Sequence, residues 1–391
     1  MKKVINLFKT LIYKSIYNIK PDKHIWIFSS TDNERYNYNS KYLFEYVLNN
    51  EKDIQPYFVI NDDVLREKLK SEYGEDFFID SKTKSGIKKV LSGGVWFTSA
   101  GLPLYGLKLN KKRLIINLWH GIPLKKIALM ENKVSKLKKH YFNKIFSQNY
   151  SYVLTTSENL IPIMKESFNV GDEIIKVWGQ PRNDCLFNSV SKDKICELFI
   201  NLPEYEKLVL YAPTYRDDEE TRIFPFEDYN KNELERFLEE SKTIIFIRTH
   251  LSESTSVEKY LCKRILLLNE NLVEDIMELL NVFDLLITDY SSIYIDFLLL
   301  NKPLLFFPYD KDEYLSKRGF NFEYDKVTPG YKPRDMKDFF MYTRMIFNGV
   351  DEFENDRQRI NKYFNEVNNV CSQNICTNIK KISNMRGDYV R

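Results

Sequence analysis

Short apolar runs separated by longer amphipathic stretches recur along the whole chain, and this rhythm narrows its folding options more than any other feature. Strands are expected in the first half at Ile25–Ser29, Tyr57–Ile60, Phe77–Ile79, Val95–Ser99, Leu114–Trp119, Val153–Thr156 and Ile174–Trp178. The second half repeats the pattern at Leu208–Ala212, Ile244–Arg248, Ile265–Leu268, Leu285–Thr288 and Leu304–Phe307. Many of these runs are apolar throughout rather than alternating, as strands are when helices cover both faces of a parallel sheet. Helical patterns lie between them, among them Lys41–Asn49, Val64–Tyr73, Leu160–Phe168, Lys231–Glu240, Val273–Asn281 and Ser292–Leu300. Residues Asp335–Ser383 also read as helices. Strand–helix alternation, twice over, predicts an α/β chain of two doubly wound domains facing each other. The 391 residues are too many for one ordinary core. The boundary is expected near Asn183–Pro203.

Composition excludes several classes. The net charge is only +3 although 29% of residues are charged, which is not the basic excess of a nucleic-acid-binding domain. Cys185, Cys196, Cys262, Cys371 and Cys376 form no CxxC pair, so a zinc or redox site has little support, and a reducing cytoplasm fits. Apolar runs such as Phe297–Leu300 fall far short of the ~18 residues that span a bilayer. No secretory signal is expected, because no small-residue cleavage site follows the N-terminus. Phosphate-loop, dinucleotide-binding and nucleophile-elbow motifs are missing, and no His/Asp/Glu cluster has metal-ligand spacing. Neither a metal nor a tightly bound cofactor is therefore expected.

In open α/β sheets, ligands sit beyond the carboxyl ends of the strands. The unusual chemistry of this chain falls there. After Leu114–Trp119 come His120, Gly121 and, nearby, Lys125 and Lys126. Such a histidine is either a base facing a cleft or a core histidine bonded to a backbone carbonyl. After Leu208–Ala212 comes Arg216, which can grip a phosphate or pair with Asp217 or Asp218. Arg248 and His250 lie two apart and face one side of an extended segment, as a diphosphate would require, or form a solvated strand end. Asp289-Tyr290-Ser291-Ser292 opens a helix, where the serines either cap it or bind an anion with the help of the helix dipole. Asp289 would repel phosphate unless it orients a donor or pairs with a cation. Gly179-Gln180-Pro181-Arg182-Asn183-Asp184 and Arg318-Gly319-Phe320 read as turns.

Taken together, Trp119-His120-Gly121-Ile122-Pro123-Leu124-Lys125, Gly179–Asp184, Thr214-Tyr215-Arg216, Arg248-Thr249-His250, Thr288–Ser292 and Arg318-Gly319-Phe320 resemble the CDP-glycerol glycerophosphotransferase family of teichoic acid synthesis, which includes CDP-ribitol-using members. The resemblance implies a GT-B-like fold, two Rossmann-like domains facing a central cleft with a helical C-terminal segment. It implies an acceptor-side domain at 21–190 and a CDP-donor-binding domain at 191–391 with closing C-terminal helices. It further implies that His120 activates the acceptor hydroxyl and that His250 is a second catalytic residue at the diphosphate. Arg216, Arg248, Asp289, Ser291, Ser292, Gly121, Lys125, Arg182 and Arg318 would bind substrate. The implied reaction moves glycerol or ribitol phosphate from a CDP-linked donor to a lipid-linked polymer and releases CMP. A GT-B sugar-nucleotide glycosyltransferase or epimerase, or a non-catalytic membrane scaffold, are the rival readings. The chain departs from the family at Ile122, where Thr is usual, and at Leu251, where Pro is common.

Residues 1–20 carry Lys2, Lys3, Lys9, Lys14 and Lys20 without an acid, and Val4, Leu7, Phe8, Leu11, Ile12 and Ile16 recur at helical spacing. A second basic stretch holds Lys125, Lys126, Lys133, Lys136, Lys138, Lys139 and Lys144, against Glu131 alone. Both suit peripheral attachment to an anionic leaflet, on the cytoplasmic face of the membrane, or a docked helix plus a solvated face. The protein is expected to float with anionic vesicles and not with neutral ones; recovery of all of it in the pellet fraction with both would remove the attachment.

Overall fold

The computed structural model describes residues 19–106, 108–199, 201–214, 216, 221–249 and 257–387. The basic segment 1–20 therefore lies almost wholly outside the described residues, as does His250. The chain forms two compact units. One holds the described chain up to Ile122, Ile127–Asp184 and the described chain from Asn365 on; the other holds Pro123–Lys126 and Cys185–Phe364.

The first unit contains β1 (Asp22–Ser29), α1 (Tyr38–Asn50), β2 (Gln55–Val59), α2 (Asp63–Tyr73), β3 (Phe78–Ile79), α3 (Lys84–Ser92), β4 (Gly93–Thr98), β5 (Leu114–Asn117), α4 (Lys136–Tyr141), β6 (Tyr152–Thr155), α5 (Ile161–Phe168) and β7 (Ile175–Val177). Its seven strands lie in the order β3-β2-β1-β4-β5-β6-β7, with every pairing parallel. The strands are apolar on both faces because both are covered. On β1, Trp26 and Phe28 pack into one core cluster and Ile27 into the other. The order reverses between β1 and β4, so the crevice of a doubly wound sheet falls beyond Ser29 and Thr98.

The second unit contains β8 (Lys207–Ala212), α6 (Lys231–Glu240), β9 (Thr243–Ile247), β10 (Ile265–Leu267), β11 (Leu285–Thr288), α7 (Ile293–Phe297), β12 (Leu304–Phe306), α8 (Lys311–Arg318), α9 (Met336–Phe347) and α10 (Glu354–Phe364). Its five parallel strands lie in the order β10-β9-β8-β11-β12, which reverses between β8 and β11. Each expected strand is present, with ends shifted by a few residues at most. The fold is α/β throughout, with a helical C-terminal segment.

Two expectations are corrected. Residues 273–281 are not an α-helix but two 3-10 turns, Ile276–Glu278 and Leu280–Val282. The carbonyls of Val273 and Glu274, which would start a helical ladder, accept instead from Arg248 at 2.6 and 3.2 Å. The last helix, α11 (Cys371–Gly387), belongs to the first unit and not to a domain running from 191 to 391. Its Ile375, Cys376 and Ile379 enter the same core cluster as Trp26 and Phe28. The carboxylate of Asp184 caps it, accepting from the backbone N–H of Cys371 at 2.7 Å and of Ser372 at 2.8 Å.

Gly179 has φ +86°, and a Cβ there would collide with Cys371 Sγ. Gly179→Ala is therefore expected to destabilise the first unit by about 1–3 kcal/mol, through overpacking and backbone strain together. Urea unfolding of the variant beside the parent chain measures the loss.

Candidate active site

In the first unit the site is built around the turn after β5. Asn117 Oδ1 accepts from the Trp119 N–H at 2.8 Å, and Trp119 takes φ +55°. Gly121 follows at φ +153°, in the region glycine tolerates best. Between them His120 is turned so that its Nδ1 lies 2.9 Å from the carbonyl of Ser99, just past β4. A carbonyl only accepts, so Nδ1 carries the proton and Nε2 keeps its lone pair. The ring is bonded to a backbone carbonyl, as one of the two sequence alternatives had it, and that bond selects the tautomer that leaves Nε2 unprotonated.

The ring is partly exposed and packed between aromatics. Tyr38 stacks on it at 5.0 Å with 26° between planes, and the Trp119 ring is 4.1 Å away. Burial lowers the His120 pKa below its ordinary 6.5; the Ser99 carbonyl works against that shift, and the Arg182 charge adds to it. The ring is therefore neutral at neutral pH. Arg182 Nη1 donates to the His120 carbonyl at 3.1 Å, so this side chain holds the loop. Asn39 ties the neighbouring loops, with Nδ2 donating to the carbonyls of Leu118 at 3.1 Å and Trp119 at 2.9 Å, and Oδ1 accepting from the Arg182 N–H at 3.1 Å.

In the second unit the strand ends meet at a buried charge cluster. Arg216 Nε and Nη2 donate to the two oxygens of Asp310, each at 3.0 Å, and Nη2 also reaches Asp289 at 3.0 Å. Burial opposes its charge, but the two carboxylates outweigh burial and raise its pKa. The guanidinium carbon lies 4.9–5.3 Å from the rings of Tyr290, Tyr309 and Tyr314. The Tyr290 hydroxyl, kept protonated by burial, donates to Asp310 at 2.8 Å. Asp289 accepts from the backbone N–H of Thr214 at 2.8 Å as well as from Arg216, so it joins the ends of β8 and β11 and is paired with a cation.

Lys125 belongs to this cluster although it lies close to His120 in sequence. Its Nζ lies 5.4 Å from the Tyr314 ring centroid. Burial lowers its pKa to about 8; Asp289 opposes that shift, while Arg318 and Arg216 add to it. Ser291 Oγ accepts from the Ile293 N–H at 3.4 Å, and the Ser292 side chain makes no capping bond. The helix they open is only Ile293–Phe297, continued by a 3-10 turn at Leu298–Leu300, so a helix dipole contributes little there.

Several sequence expectations change in this light. Arg216 is held by Asp289 and Asp310; Asp217 and Asp218 lie outside the described residues. Arg248 spends two nitrogens on the carbonyls of Leu268, Val273 and Glu274. Arg182 holds the His120 loop. Arg318 is exposed at the end of α8, before Gly319 at φ +72°. Sequence reasoning missed Tyr38, Asn39 and Ser99 around the histidine, and Asp310, Tyr309 and Tyr314 around the arginine. The strand-end rule applied to β1 and β4 would have pointed to Ser99 and to the polar run 37–40; nothing in the sequence marks Asp310 as the partner of Arg216. Among the described residues no group of His, Cys, Asp and Glu could hold a metal ion, and no helix is long and apolar enough to cross a membrane. A cavity of about 270 Å³ in the second unit, lined by Asp325, Lys332, Asp356 and Arg359 among others, contains none of these site residues.

Comparison with known proteins bears on this geometry. Residues 11–381 match the family described as CDP-Glycerol:Poly(glycerophosphate) glycerophosphotransferase. The chain is 28% identical over 353 residues to the teichoic acid poly(glycerol phosphate) polymerase of Bacillus subtilis (strain 168), which covers 84% of this chain and 45% of that protein. It is 29% identical over 346 residues to the teichoic acid glycerol-phosphate transferase of Staphylococcus aureus (strain NCTC 8325 / PS 47), covering 83% of this chain and 86% of that one. The chain thus spans about half the length of the first relative and most of the second. The solved structure of the wall teichoic acid polymerase TagF superimposes with a TM-score of 0.75 at 23% identity, over 96% of this chain and 93% of that chain. The two share the GT-B-like fold.

Replacing Asp310 by alanine removes both of its bonds to Arg216 and that from Tyr290. Asp310→Ala is expected to destabilise the second unit by about 1.5–3 kcal/mol, the usual cost of removing hydrogen bonds to a charged group. A shift in the urea midpoint with an unchanged slope is the expected observation.

Proposed function

The chain belongs to the CDP-glycerol:poly(glycerophosphate) glycerophosphotransferase family, and on that premise we propose that it transfers glycerol phosphate or ribitol phosphate from a CDP-linked donor to a lipid-linked teichoic-acid-type acceptor, releasing CMP. The observation that carries this reading is the His120 imidazole. It is held neutral by burial, and its Nδ1 is committed to Ser99, which leaves Nε2 as a base.

In the proposed step an acceptor hydroxyl attacks the β-phosphorus of the donor. The new O–P bond forms as the bond to the CMP oxygen breaks, and the hydroxyl proton passes to Nε2 of His120. Lys125, Ser291, Ser292 and His250 are the proposed ligands of the diphosphate, countering its charge as it builds on the leaving CMP. Arg216, pinned by Asp289 and Asp310, holds the ends of β8 and β11 in place for that binding. Arg182 and Asn39 do the same for the His120 loop. A lipid-linked acceptor requires attachment at the membrane surface, for which the lysines of 1–20 and of 133–144 are the proposed contacts; the cytoplasmic face is the proposed location.

Incubating the protein with CDP-glycerol or CDP-ribitol and a lipid-linked primer is expected to release CMP and to add one or more polyol-phosphate units to the product mass. No CMP from either donor on several primers would overturn the proposal. His120→Ala is expected to lower kcat by about 10²–10⁴-fold. Because the pKa of His120 is lowered, the base remains neutral down through its ordinary 6.5, and the acid limb of kcat is expected below that value. An acid limb above 6.5, or near-normal turnover by His120→Ala, would remove the base assignment.

A further inference from the structure

Four residues, Pro123–Lys126, belong to the second unit although the chain on either side of them belongs to the first. The segment has no regular structure of its own to satisfy its backbone, and a single residue does much of that work. The Asn321 backbone N–H donates to the Leu124 carbonyl at 2.9 Å. Its side-chain Nδ2 donates to the carbonyls of Pro123 at 2.8 Å and Lys125 at 2.9 Å. One antiparallel bridge pairs Lys125 with Phe320, and the Lys126 N–H donates to the Gly319 carbonyl at 3.1 Å. Asn321 thus holds three successive carbonyls, those of Pro123, Leu124 and Lys125.

The segment so held carries Lys125 to the charge cluster. Its Nζ lies over Tyr314, and the charged groups that act on it are Asp289, Arg318 and Arg216. Arg216 is already neutralised by Asp289 and Asp310, so the position of the Lys125 ammonium decides much of the positive potential available to an anion there. An ammonium on a flexible four-carbon stem acts at a defined place only if its backbone is fixed.

We propose that Asn321 is a positioning residue of the donor-phosphate site: by clamping Pro123–Lys126 it sets the Lys125 ammonium beside Arg216 and Asp289, and the diphosphate of a nucleoside-diphosphate donor binds through that placement. The inference rests on the transferase reading above, and names a residue that acts without touching substrate.

The test titrates CDP, CDP-glycerol and CDP-ribitol into the full chain by calorimetry across pH, with Asn321→Ala, Lys125→Ala and the double variant beside the parent protein. Lys125 is charged below its pKa, so parent affinity is expected to be full below about pH 8 and to fall as pH rises through it. Asn321→Ala is expected to weaken binding about tenfold near neutrality and to move that fall to higher pH, because a released lysine is better hydrated. Lys125→Ala removes the pH step, and the double variant binds no more weakly than Lys125→Ala alone. A folded Asn321→Ala that keeps both affinity and pH step overturns the inference, as do losses that simply add in the double variant. Should Asn321→Ala fail to fold, Asn321→Ser, which can keep one of the two donated bonds, is read by the same criteria. If the parent chain binds none of the three ligands, it is the transferase reading that falls.

Discussion

A parallel strand covered on both faces has only its ends in which to place polar chemistry, and this structure follows from that restriction. In β1, β4, β8 and β11 the interior positions are filled by apolar side chains packed against helices on both sides. The carboxyl ends at the two reversal points, β1/β4 and β8/β11, are where the chain first leaves the core. Ser99 stands at one and Asp289 at the other, and each fixes a functional group from a neighbouring strand end, His120 in the first unit and Arg216 in the second.

The two units meet the cost of burying polar groups in opposite ways. In the first, the titratable group is kept neutral. Burial disfavours the imidazolium, the Ser99 carbonyl holds the proton on Nδ1, and Arg182 adds a positive charge that further discourages protonation. In the second, charge is retained and matched. Arg216 lies between two carboxylates and against three tyrosine rings, which satisfies a cation that would otherwise be costly in that environment. Asp289, which would repel an anion if left unpaired, is satisfied the same way, since it is occupied by Arg216 and by the Thr214 N–H.

Much of the architecture could be read from the chain. Continuous apolar runs gave away the parallel strands, because a strand buried on both faces has no reason to alternate, and the capped, amphipathic stretches of α2 and α6 showed their 3.6-residue period. The 273–281 segment misled because its apolar spacing is helical while Arg248, remote in sequence, takes the carbonyls a helix would use. The position of α11 was hidden for a similar reason. Its apolar stripe says that it must be buried, and only the carboxylate of Asp184 and the core of the first sheet say where.

What the sequence by itself determined is the set of strands, the identity of the groups at their ends, and through the order of its motifs the family. These are local properties, set by periodicity and by which residue follows which run. The tertiary structure alone decided the partners: that His120 faces a carbonyl and keeps Nε2 unprotonated, that Arg216 is shared by Asp289 and Asp310, and that Lys125 belongs to the second unit under the hold of Asn321. Each of these depends on side chains brought together from distant parts of the chain, and neither burial nor pairing is encoded in the spacing of the residues that experience it.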